Sequence, residues 1–108
     1  MVRTIGLRRI FIELDQPLVA QKVSNDVIWT TDFEILAVST NGGDIALGDS
    51  TVDIGSWITL SAGDKKNYTH GTGNMGGSDP VLAFDLSKLY VVGRDAGDEI
   101  IIQYLVTE

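Results

Sequence analysis

Apolar residues recur at alternate positions over short stretches of this chain, and Gly, Asp, Asn and Ser fill the gaps between stretches. In Phe33-Glu34-Ile35-Leu36-Ala37-Val38, the residues Phe33, Ile35 and Ala37 share one face of an extended segment. Near the C-terminal end, Ile100, Ile102, Tyr104 and Val106 form one row and Ile101, Gln103 and Leu105 the other. Because both rows carry apolar groups, this last strand is expected inside a sheet, not at its edge. The same reading predicts strands at Val2 to Glu13, Val27 to Thr31, Phe33 to Thr40, Asp44 to Leu47, Trp57 to Ser61, Lys65 to Thr69, Val81 to Phe84, Leu89 to Gly93 and Glu99 to Val106. A helical pattern is weak throughout. Pro17 to Lys22 allows a turn or two of helix, or an edge strand interrupted by Pro17. The fold class is therefore all-β, a small antiparallel β-sandwich or jelly roll of about eight to nine short strands.

The breaks have their own chemistry. Asn41-Gly42 lies between two strand-like runs and suits the positive φ values of a type I′ hairpin turn. Ser61-Ala62-Gly63-Asp64 and Asp95-Ala96-Gly97-Asp98 are two further tight turns. The stretch His70 to Pro80 carries four of the twelve glycines without apolar periodicity and reads as a long exposed loop.

Composition narrows the function. At 108 residues the chain has room for a single core. Eight basic against fifteen acidic residues give a net charge of −7, which argues against nucleic acid as a partner. That charge is uneven. Residues 1 to 12 hold Arg3, Arg8 and Arg9 with no acid, a charge of +3, and the remainder carries −10. The expected organisation is a basic N-terminal arm or edge strand over 1–12, followed by one β-sandwich domain over 13–108. Arg3, Arg8 and Arg9 are the candidate partner-binding residues, steered toward an acidic surface. A free arm of this kind would be removable through Arg9 with little loss of stability. Uninterrupted apolar runs, such as Ile100-Ile101-Ile102, are far too short for a membrane span, and the start lacks the apolar core of a signal peptide.

Site chemistry is sparse. There is no cysteine and one histidine, so disulfides, thiolate metal sites and cysteine nucleophiles are excluded, and no catalytic, cofactor-binding or metal residue is assigned. Gly71-x-Gly73-x-x-Gly76 spells a dinucleotide fingerprint, but a helix does not follow it, so it reads as loop. His70 lacks a sequence partner that would make it a base. Asp44, Asp49 and Asp53, and Asp95, Asp98 and Glu99, are close enough in sequence to hold a cation but lack the spacing of a calcium loop, and they read as turn formers. Trp29, Trp57, Tyr68, Tyr90 and Tyr104 would make a carbohydrate-stacking platform if they shared a face. Alternation places Trp57 and Tyr104 in the core instead.

The run Ser39-Thr40-Asn41-Gly42-Gly43-Asp44-Ile45-Ala46-Leu47-Gly48-Asp49-Ser50-Thr51-Val52 resembles a pattern of small tailed-phage virion proteins, in which an Asn-Gly turn leads into an Asp-Ile-x-Val-Gly-Asp-Ser-like strand. Trp57 to Asp64 is similar to that family's next segment. Asp85 to Gly93 and Gly97 to Tyr104 are similar to its closing strands, so the resemblance spans residues 33 to 105. It implies a non-enzymatic structural protein made in the host cytoplasm and carried in the phage head. Its expected role is capsid decoration, binding the shell of major capsid protein or other virion proteins without a cofactor. The resemblance and the apolar strand faces together imply a homo-oligomer, with a trimer expected. The alternative that the residues leave open is a small carbohydrate- or ligand-binding sandwich module.

Overall fold

The computed structural model describes residues 5–55, 58–69 and 84–107. The parts of the expected strands at Val2 to Thr4, Trp57 and Val81 to Ala83 lie outside these, as do Arg3 and the whole of the His70 to Pro80 loop. Ten strands are formed among the described residues: β1 (Ile5–Glu13), β2 (Gln21–Lys22), β3 (Trp29–Thr30), β4 (Asp32–Ala37), β5 (Ile45–Gly48), β6 (Ile58–Leu60), β7 (Lys65–Thr69), β8 (Phe84–Asp85), β9 (Tyr90–Gly93) and β10 (Glu99–Thr107). A single 3-10 turn, Leu86–Lys88, precedes β9.

Two four-stranded antiparallel sheets face each other, ordered β1-β10-β4-β7 and β2-β9-β5-β6, with the short pair β3-β8 beside them. The pairings are nested. β1 pairs with β10, β2 with β9, β3 with β8, β4 with β7 and β5 with β6, all antiparallel. The chain is in effect one long two-armed ribbon, doubled back between β5 and β6 and rolled so that β10 also meets β4 and β9 meets β5. This strand order defines the sandwich as a jelly roll.

Burial follows the sequence pattern. Phe33, Ile35 and Ala37 point inward from β4, and Ile100, Ile102 and Tyr104 from β10, where they meet Ile45, Leu47, Leu60 and Val91 of the other sheet. β10 lies between β1 and β4 and is paired on both sides, as its two apolar rows require. Thr30 is the buried polar exception: its hydroxyl donates to the Leu105 carbonyl at 2.8 Å and accepts the Asp32 N–H at 3.3 Å. Thr30→Val keeps the shape but strands that carbonyl, so a loss of about 1–2 kcal/mol in urea unfolding is expected.

One expectation is corrected, and two open alternatives are decided in favour of an edge strand. Asn41-Gly42 does not form a type I′ hairpin, because β4 and β5 lie in different sheets and neither residue has positive φ. Pro17 to Lys22 is not helical. Leu18 has φ of +60°, which no right-handed helix accommodates, and its N–H bonds the Gly93 carbonyl at 2.7 Å; Gln21–Lys22 then runs as β2 against β9. The basic stretch is not a free arm over its described part, since Ile5 to Glu13 pairs with β10 along nine residues. Deletion through Arg9 would strip half of that ladder, so unchanged stability is no longer expected.

The other two marked turns are tight, and both link the sheets. Gly63 and Gly97 occupy third positions with φ of +86° and +88°, the type II geometry that favours glycine. The 4→1 bonds are Asp64 N–H to Ser61 C=O at 2.9 Å and Asp98 N–H to Asp95 C=O at 3.4 Å. Crossings 14–20, 38–44, 61–64 and 94–98 therefore gather at one end of the sandwich. There they are bonded together. The Asn41 carboxamide donates to the Glu99 carbonyl at 2.9 Å and accepts the Glu99 N–H at 2.7 Å, while the two Asp98 carboxylate oxygens accept Gly42 N–H at 2.9 Å and Gly43 N–H at 3.0 Å. Leu14 completes the clasp, its N–H on the Asp98 carbonyl and its carbonyl on the Gly97 N–H, each at 2.8 Å.

Candidate interaction surface

The two outward faces differ. On the β2-β9-β5-β6 sheet, Ala46 and Val92 would be exposed, but the segment after β5 folds over them. Val52 is buried there, with Ile54, Ala20 and Tyr90 around it. The fold of that segment is local: the Asp49 carboxylate accepts the Thr51 N–H at 2.8 Å and its hydroxyl at 2.5 Å, and Asp53 accepts the Ile54 N–H at 2.8 Å. The hydroxyl bond above all holds Asp49 below the usual carboxylate value.

The outward face of the β1-β10-β4-β7 sheet is open among the described residues. Registers assemble its rows. Phe11 lies opposite Ile101, Ile101 opposite Leu36 and Leu36 opposite Lys65, giving an apolar row with a lysine at its end. The next row runs Arg9, Gln103, Glu34 and Asn67, and the one beyond begins Leu7, Leu105. Leu7 is 66% and Phe11 58% exposed. Leu7, Leu105, Gln103, Glu34, Asn67 and Thr69 border a groove of about 270 Å³ on this face.

The candidate arginines divide. Arg9 points outward with Leu7 and Phe11, whereas Arg8 shares the parity of Ile10 and Ile12 and is exposed at the end of the sandwich. Arg3 lies outside the described residues, as do His70 and Gly71, Gly73 and Gly76. The aromatic residues do not form one platform. Tyr104 is in the core. Tyr68 stacks on Phe33 at 4.9 Å, with Phe84 edge-on to Phe33 at 5.0 Å, and burial raises the Tyr68 phenol above its ordinary 10.0. Tyr90 is on the opposite sheet's outward side, Trp57 lies outside the described residues, and Trp29 stands 63% exposed in β3.

Several acidic side chains in the turns are internally engaged. Asp98 is spent on the clasp, and Asp85 accepts the Ser87 hydroxyl at 2.7 Å and N–H at 3.0 Å. Among the described residues no three acidic or imidazole side chains converge as a metal site, and no helix is long and apolar enough to cross a membrane. The Ser87 hydroxyl is the main reason that Asp85 sits below 3.8. With the folded value depressed, its stabilisation is complete above the ordinary carboxylate range and is lost as pH falls through that lowered value. Asp85→Asn is expected to flatten this part of the acid limb, read as a shallower fall of the melting midpoint between about pH 5 and pH 2.

No protein-family model matches the chain, and no curated protein matches it.

Proposed function

We propose that this chain is a non-enzymatic structural protein of a tailed-phage virion, a capsid decoration protein that binds the shell of major capsid protein. The observation that carries this reading is a jelly roll whose edge strand β1 presents a basic surface. Such a surface suits packing against another protein, and the jelly roll is an architecture that viral capsid domains use. The residues that resemble phage virion proteins support it too: Asn41-Gly42-Gly43 and Asp98-Glu99 make the clasp, so the shared pattern is the one that folds the roll. On this reading Arg3, Arg8 and Arg9 supply positive charge toward an acidic patch of the shell.

The test is co-sedimentation with capsids assembled without this protein. Saturable binding at about micromolar concentration is expected, weakened roughly tenfold by joint reversal of Arg3 and Arg8 to Glu in protein that still folds by circular dichroism. Wild-type protein left in the supernatant at about 100 μM would overturn the reading. Retention on a glycan column in that case would favour a carbohydrate-binding module.

A further inference from the structure

We infer that the open face of the β1-β10-β4-β7 sheet pairs with the same face of a second copy, about a two-fold axis running along β10. This does not rest on the virion reading. The two outward faces of the sandwich both carry apolar residues, yet among the described residues only one of them is covered by the chain itself. The other leaves Phe11, Ile101 and Leu36 in a continuous row across three strands.

Charge selects the partner. Arg9 and Glu34 stand in one row on either side of Gln103, two strands apart, so roughly 10 Å separates their backbones. Neither side chain has a hydrogen-bond or ion-pair partner among the described residues. A two-fold axis parallel to β10, midway between two facing sheets, exchanges β1 with β4. Arg9 of each copy then lies over Glu34 of the other, Phe11 over Leu36, and Ile101 over its own counterpart. Along these two rows the face is complementary to itself in charge and in apolar character, as an isologous contact requires; in the next row the same axis sets Leu7 over Asp32. The usual angle of about 30° between aligned sheets arises when each sheet is turned about 15° from the axis. The same axis sets Glu99 against Glu99 at the rim, where solvent and salt screen the repulsion. With a facing area three strands wide, association at the small end of specific interfaces and a Kd of about micromolar are expected. The expected symmetry is therefore two-fold, in place of a trimer.

The geometry gives a charge-swap test. Arg9→Glu alone sets two acids against each other in both contacts, and Glu34→Arg alone sets two bases. Each variant should fold with an unchanged melting midpoint and show dimerisation weakened at least about tenfold in sedimentation equilibrium. Mixed one to one, the two variants regain opposite charges at both contacts, so native mass spectrometry should show the heterodimer restored over either homodimer. Wild-type protein that is monomeric at about 1 mM, or trimeric, overturns the inference, as do single variants that dimerise like wild type or a mixture that stays monomeric. Because no capsid is present, these outcomes are independent of shell binding.

Discussion

Asp98→Ala is expected to lower the stability of the domain by about 3 kcal/mol, seen as a fall of roughly 10–20 °C in the melting midpoint. Asp98 is 7% exposed, and its carboxylate gives one oxygen to Gly42 N–H and the other to Gly43 N–H. Alanine would leave both donors unpaired where the β4-to-β5 and β9-to-β10 crossings meet, and bonds to a charged acceptor are worth more than neutral ones. Asn in the same place offers one oxygen and turns an amide toward the other donor, so its cost should be intermediate. The neighbouring Asp95 is exposed and provides the control, with Asp95→Ala expected within about 0.5 kcal/mol of wild type. An Asp98→Ala protein as stable as that control would show that the clasp contributes nothing to holding the sheets together.

A second large effect concerns Leu14 and Gly93. Leu14 is 1% exposed, and its Cδ1 occupies the space above Gly93, where a Cβ on residue 93 would come within 2.3 Å of it and within 3.5 Å of Ile45 Cγ1. Leu14→Ala removes buried methyl groups and should cost about 2–5 kcal/mol. Gly93→Ala forces the buried leucine from its place and should cost about 1–3 kcal/mol. The φ of Gly93 is not positive, so the obstacle is the side chain and not the backbone. In Leu14→Ala with Gly93→Ala the new methyl enters the space that the leucine vacates. The double variant should therefore be more stable than the sum of the single losses by at least about 1 kcal/mol in urea unfolding. Strict additivity would mean that the two groups do not compete for one space.

These two sites show where sequence reading stops. The turn at Asp95 to Asp98 is legible, because Asp and Gly declare local dihedral preferences within four residues. That Asp98 also receives two N–H groups from Gly42 and Gly43 is not, since the donors lie far along the chain. Asn41-Gly42 misleads for the same reason. Its residues tolerate a hairpin, but whether the flanking strands pair or part into two layers depends on which faces must be buried together. The strand β2 was legible only as the edge-strand alternative within Pro17 to Lys22: Gln21 and Lys22 carry no apolar signal and are extended because Val91 and Tyr90 lie alongside them. The Arg9–Gln103–Glu34 row had no trace in the sequence, because it exists only once β1, β10 and β4 are neighbours.

By itself, the amino-acid sequence determined the class of the fold, the inward rows of β4 and β10, the interior position of β10 and the places where the chain turns. Those properties follow from alternation at period two and from backbone preferences that act over a few residues. Only the tertiary structure decided that the strands pair in nested order, that every marked turn crosses between sheets and that, among the described residues, one outward face is covered while the other is left open. Those outcomes depend on burying all the inward rows at once and on satisfying the crossing backbones, conditions that no local stretch contains.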